Sequence, residues 1–246
     1  MKEYLIYIFE TKIYITHLME LIAAVAGSIF LTKTNRENSD YKIFVRFLWS
    51  VLLIDILGGY AALAYFSNYE LFGFIKGTPF VRNEWYFNIV EVYFILIYTY
   101  LFRSQLSGRR MKNLLKWSIV GYLIIAVLNM YLSDDFFTGD LMLNDMLGAF
   151  LIVLSVFFYF FDMMISDKVL TFYKNLFFYV AIGVTISYLV RVPISIYGAY
   201  FNERNDAFLE LFYDLVRYTN IFMYSMFAMG FYMDYRYRKK WLLQNT

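Results

Sequence analysis

No cysteine occurs in the 246 residues. Disulfides, thiolate metal sites and cysteine nucleophiles are therefore excluded, and the redox compartment is left open. Histidine is nearly as scarce. The single one, His17, argues against a His-rich metal site and excludes an HExxH zinc motif. Only two prolines are present, so long helices meet few obligatory breaks. The charges nearly cancel, at net +2, and the basic residues flank apolar runs without forming one patch, so nucleic-acid binding is not expected. No phosphate-binding GxxxxGK[ST] and no GxSxG nucleophile elbow occur. The last apolar segment, 208–233, has no Lys to form a retinal Schiff base. No catalytic residue, no metal and no cofactor is expected on these grounds.

Apolar surface is abundant instead. Hydrophobic residues make up 61% of the chain, against about 45–50% in a soluble domain. They fall into long runs separated by short charged clusters, the pattern of repeated membrane spans. The runs predict an all-α, polytopic bundle of seven transmembrane helices in a single domain, at about 13–31, 43–65, 85–102, 114–132, 141–161, 176–197 and 208–233. At ~1.5 Å per residue each crosses a hydrocarbon core of ~30 Å. Glu3, Glu10, Lys12 and Glu20 interrupt any signal-peptide core, so the first run reads as a mature helix, although Ala24-Val25-Ala26 resembles a cleavage site. The linker 66–84 is itself apolar and reads as a membrane-hugging loop, with a re-entrant or interfacial lid as the alternative. No appended soluble domain is expected.

Loop charges give a direction. Alternate loops and the C-terminal tail carry thirteen basic residues: Lys33, Arg36, Lys42, Arg103, Arg109, Arg110, Lys112, Lys168, Lys174, Arg236, Arg238, Lys239 and Lys240. The opposite side carries five: Lys2, Lys12, Lys76, Arg82 and Arg204. The positive-inside rule places the N-terminus outside the cytoplasm and the C-terminus inside. Tyr41, Tyr65, Trp85, Tyr131, Tyr197 and Trp241 crowd the span ends, as interfacial aromatics do.

Several short stretches occur in a recognisable order: Leu18-Met19-Glu20-Leu21-Ile22-Ala23-Ala24, then Asp55 with Gly58-Gly59-Tyr60, then Asn83-Glu84-Trp85-Tyr86-Phe87-Asn88-Ile89. Ser166-Asp167-Lys168-Val169-Leu170 and Val192-Pro193 follow, and the run from Asn220 to Gly230 closes the series. Over nearly the whole chain this resembles a set of seven-helix integral membrane proteins of Bacteroidota with no established activity. The resemblance implies a bacterial inner, or cytoplasmic, membrane location and carries over no catalytic residue.

Six ionisable residues fall well inside the predicted spans: Glu20, Asp55, Glu91, Arg191, Asp214 and Arg217. If all faced lipid and stayed charged they would cost roughly 15–20 kcal/mol on insertion scales. Steps of three and four residues put them on polar or small-residue stripes: His17 and Glu20 with Ala24; Asp55 with Gly59; Asn88 with Glu91; Asp214 and Arg217 with Asn220. With the N-terminus outside, Glu91, Arg191 and Asp214 lie in the outer half of the membrane, and Glu20, Asp55 and Arg217 nearer its middle. These residues, with His17, Asn88 and Asn220, form the expected ligand- or ion-binding set around one outward-facing polar cavity. Arg217 is expected to pair with Asp214 at i,i+3, and Arg191 with Glu91 or Asp55. Pro193 is expected to kink the sixth helix. Buried ion pairs that only fix helix packing are the competing reading.

The functional classes left open are a receptor or sensory module for a small polar or cationic ligand, a proton- or cation-linked transporter or channel, and an accessory or scaffold subunit. The lipid bilayer is the expected environment, and a cytoplasmic or membrane protein the expected partner.

Overall fold

The computed structural model describes residues 2–34, 39–200 and 206–244. Its regular structure among those residues is helical. The α-helices are α1 (Lys2–Thr11), α2 (Ile13–Thr34), α3 (Ser39–Gly58), α4 (Tyr60–Phe66), α5 (Glu84–Gln105), α6 (Arg109–Leu132), α7 (Met142–Met164), α8 (Leu176–Tyr200) and α9 (Asp206–Gln244). Short 3-10 turns occupy Gly73–Ile75, Pro79–Val81, Asp134–Phe137 and Asp167–Lys174.

Six of these segments are long and apolar enough to cross a membrane: α2, α3 continued by α4, α5, α6, α7, and α8 as far as Pro193. They coincide with the first six predicted spans to within a few residues. The chain is thus an all-helical protein with the build of an integral membrane protein. The seventh predicted span lies in α9, whose Arg217, Thr219, Asn220 and many tyrosines interrupt its apolar face. It is nonetheless a bundle member, packed along α2 and α8.

The core explains that packing. Phe44 of α3 is fully buried, its ring centroid 5.3 Å from Phe227 and 5.8 Å from Phe231 of α9. Tyr41 meets Phe177 of α8 edge-on at 5.3 Å, and Phe30 of α2 reaches Phe231 at 5.6 Å. Such pairs contribute about 0.5–1.5 kcal/mol each beyond the area they bury. Small residues set the closest approaches, as membrane helix interfaces require. A Cβ on Gly183 of α8 would stand 3.2 Å from the Met223 backbone oxygen of α9, and one on Gly230 would stand 3.2 Å from the Leu176 oxygen. Leu53, Ile56, Leu57, Ile124, Leu128, Phe150 and Phe157 point outward and exposed, the surface expected against acyl chains. Helix α6 is the most peripheral span, with 17% of its apolar window buried.

Two departures from the sequence reading are local. First, residues 2–11 form a helix of their own. It ends at Lys12, whose φ of 56° breaks the rod before α2, and its Tyr7 packs on Phe66 of α4 at 5.2 Å. Second, the predicted second span is bent at Gly58–Gly59. The Ile54 carbonyl there accepts from the Tyr86 hydroxyl at 2.9 Å, and the Gly58 carbonyl from Asn83 at 2.7 Å. Side chains of the following segment therefore satisfy backbone oxygens at the bend. The apolar linker forms no re-entrant helix. It folds as two 3-10 turns anchored by Tyr60, whose hydroxyl donates to the Phe80 and Arg82 carbonyls at 2.8 and 2.7 Å. Helix α8 runs on through Pro193 without ending.

Candidate functional site: a polar centre inside the bundle

Five helices send polar side chains toward Arg191 of α8. Its guanidinium donates to the Asn220 side-chain oxygen of α9. Glu20 of α2, Asp55 of α3, Glu91 of α5 and Asp145 of α7 all lie within its electrostatic reach. Tyr188, one turn before Arg191 on α8, faces Glu91, and Tyr224 of α9 faces Glu20. A low-dielectric interior makes such a gathering of charge costly unless its members compensate one another.

The centre is incompletely compensated. Glu20 is 1% exposed, yet its Oε1 makes no hydrogen bond, and Nε of Arg191 is likewise buried without one. The other Glu20 oxygen, Oε2, lies 3.3 Å from Nδ1 of His17. One ligand atom each from His17, Glu20 and Asp55 fall within 4.8 Å of one another. Four carboxyl groups thus lie within electrostatic reach of one guanidinium that hydrogen-bonds to a neutral amide.

The predicted site residues divide into three groups. His17, Glu20, Asp55, Glu91, Arg191 and Asn220 converge as described. Asp214 and Arg217 form the expected i,i+3 ion pair, but Asp214 is more than a third exposed. Arg217 is absent from the charges that act most on Glu20, Asp55 and Glu91. Asn88 belongs to neither group. Its amide nitrogen donates to the Phe136 and Gly139 carbonyls at 3.0 Å each, and its oxygen accepts from the Leu141 backbone at 3.1 Å. It tethers the connection between α6 and α7, and those bonds leave it little capacity for a ligand. The expected pairing of Arg191 with Glu91 or Asp55 is replaced by the bond to Asn220, because Asn220 sits on the α9 face that packs directly on α8.

Sequence reasoning passed over Asp145 and Tyr188. Asp145 stands in the first turn of α7, where an acid reads as an ordinary helix start, and Tyr188 reads as one aromatic among 25 tyrosines. Two further buried acids lie one residue beyond predicted span ends. Asp162 accepts from the Ser107 backbone and hydroxyl at 3.0 and 3.1 Å. Asp234, 1% exposed, accepts from the Tyr41 hydroxyl at 2.6 Å, from the Leu176 backbone at 3.4 Å and from Arg238. Both fasten helices at the lysine- and arginine-rich end of the bundle. Beside Asp234 opens a cleft of about 590 Å³ lined by Lys33, Lys174, Tyr235, Tyr237, Arg238 and Lys239. There Lys174 stands 5.3 Å from the Tyr237 ring centre.

Comparison with protein-family models, with curated proteins and with solved structures finds no match to this chain.

Proposed function

We propose that this chain is a seven-helix receptor of the bacterial cytoplasmic membrane, with the N-terminus outside. A small polar or cationic ligand would bind at the interior polar centre. The carrying observation is the convergence of Glu20, Asp55, Glu91, Asp145, Arg191 and Asn220 from six helices while Glu20 Oε1 and Arg191 Nε are buried without partners. A purely structural polar network gains most when every member is satisfied. Unfilled capacity at the middle of the network supports a ligand that completes it.

The topology reading rests on thirteen basic residues against five and on α9 packing as a full bundle member. The route to the other side is α9 itself. Asn220 and Asp234 are fourteen residues apart on one continuous helix, about 21 Å at 1.5 Å per residue. A ligand that redirects Arg191 acts on Asn220, and through it on the helix whose far end forms the basic cleft. That cleft is the place for a cytoplasmic partner.

The test is a thermal-unfolding screen of the detergent-purified protein against a panel of polar metabolites and cations, read by tryptophan fluorescence. A ligand at a hundred times its Kd adds about 2.7 kcal/mol of stability. The expected result is a stabilising compound whose effect disappears in Arg191→Gln and Glu20→Gln. A panel that leaves wild-type protein unmoved, together with Asp55→Asn cells indistinguishable from wild type, would refute the receptor reading.

A further inference from the structure

The composition speaks against a His-rich metal site, but a site of one imidazole and two carboxylates needs only the one histidine present. We propose that His17, Glu20 and Asp55 bind a divalent first-row metal ion. The proposal names the ligand class of the polar centre, and to that extent rests on the receptor reading.

Geometry supports it first. His17 and Glu20 are three residues apart on α2, which places both on one face, and Asp55 approaches from α3. The Nδ1–Oε2 distance of 3.3 Å is longer than an ordinary N–H···O hydrogen bond. It matches the edge of a tetrahedron, about 3.4 Å, around an ion whose bonds are about 2.0–2.1 Å. One ligand atom from each of the three residues lies within 4.8 Å of the others, and an ion with bonds of about 2.0–2.1 Å would draw them slightly closer.

The second observation is independent of that spacing. Glu20 is 99% buried by area and its Oε1 has no hydrogen-bond donor. Arg191, whose charge reaches Glu20, is turned to Asn220 and acts on Glu91 and Asp145 as well. Glu20 and Asp55 lie within hydrogen-bonding reach of each other, and a divalent ion bound between such a pair of acids cancels both charges. The donor set of one imidazole nitrogen and carboxylate oxygens suits Zn²⁺ or Mn²⁺ and is poor for Cu⁺, which prefers sulfur. Three protein ligands leave a position for water or a ligand atom. His17 is 29% exposed and gives the ion a way in.

The experiment uses the full chain, purified in detergent and stripped with a chelator, titrated with Zn²⁺ and Mn²⁺ by calorimetry and with Co²⁺ by visible absorption. Expected are one saturable equivalent per chain, Co²⁺ d–d bands of a low-symmetry nitrogen/oxygen site, and at least tenfold weaker binding in His17→Gln, Glu20→Gln and Asp55→Asn. Asp214→Asn, which alters the ion pair outside the centre, retains wild-type binding. Gel-filtration profile and melting curve establish that each variant folds. Should the buried Glu20→Gln fail that check, the partly exposed His17→Gln and Asp55→Asn decide. No saturable binding by wild type, or full binding by His17→Gln or Asp55→Asn, overturns the proposal. If no metal binds but an organic compound stabilises wild type through Arg191, the metal site falls and the receptor reading stands. If neither binds, both fall.

Discussion

Replacing Asp234 with alanine tests whether the lysine- and arginine-rich end of the bundle is held by one buried carboxylate. The side chain is 1% exposed and accepts from Tyr41 at 2.6 Å, from the Leu176 backbone at 3.4 Å and from Arg238. Alanine removes the acceptor from the Tyr41 hydroxyl and from a backbone amide in the first turn of α8, both in buried residues. Each buried donor that loses its partner costs about 1–3 kcal/mol. Arg238 is 43% exposed on its side chain and regains water, so its lost pairing adds less than about 1 kcal/mol. The expected loss is therefore about 3–5 kcal/mol, the range for breaking a buried charged contact. Asp234→Asn keeps an acceptor for Tyr41 and loses less, and Arg238→Gln loses least. Unfolding in mixed micelles of increasing SDS fraction, followed by tryptophan fluorescence, gives the order. An Arg238→Gln variant as damaged as Asp234→Ala, or an Asp234→Ala loss below about 1 kcal/mol, would refute the claim that burial of the carboxylate carries the effect.

Asn88→Ala should lower stability by about 2–3 kcal/mol, since two loop carbonyls and one buried amide lose their partner, and should open the 133–140 connection to protease. Gly148→Val should cost about 1–3 kcal/mol by overpacking, because even a Cβ there would meet Ile95 Cδ1 at 2.1 Å; Gly121→Ala, with nothing within 4 Å, should gain up to about 1 kcal/mol. Parallel thermal melts of the two glycine variants check both signs. Asp140, in the turn before α7, is partly exposed, yet its partial desolvation and then the charge of Glu84 raise its pKa above the ordinary 3.8. Its ionised form therefore destabilises the fold above the folded-state pKa, and that penalty fades as pH falls through it. Asp140→Asn should melt higher than wild type at neutral and alkaline pH, with the gain vanishing below the ordinary value; an equal gain at all pH would refute this.

Helix positions were legible because hydrocarbon demands long uninterrupted apolar runs, and six such runs match six helices. What the runs could not convey is how α9 enters the bundle. Its Asn220 and Arg217 weaken the hydropathy signal, while the phenylalanines that bind it to α3, such as Phe227, read as ordinary membrane residues. The convergence of Glu20, Asp55, Glu91 and Arg191 was legible from the cost of exposing charge to lipid. The partner of Arg191 was not, because a neutral amide on another helix carries no charge signal, and the choice among Asn220, Glu91 and Asp55 depends on which helix faces α8. Asn88 illustrates the opposite failure. Its stripe placed it beside Glu91, yet one turn nearer the helix end the same face meets the loop from Asp134 to Phe137.

At Gly183 and Gly230 helices α8 and α9 approach so closely that a Cβ on either glycine would stand 3.2 Å from a backbone oxygen of the other helix. At such approaches a larger side chain on either glycine could be placed only by moving one helix away from the other. The two helices therefore travel as a single double-width strut, with Arg191 and Asn220 fixed to the same moving body.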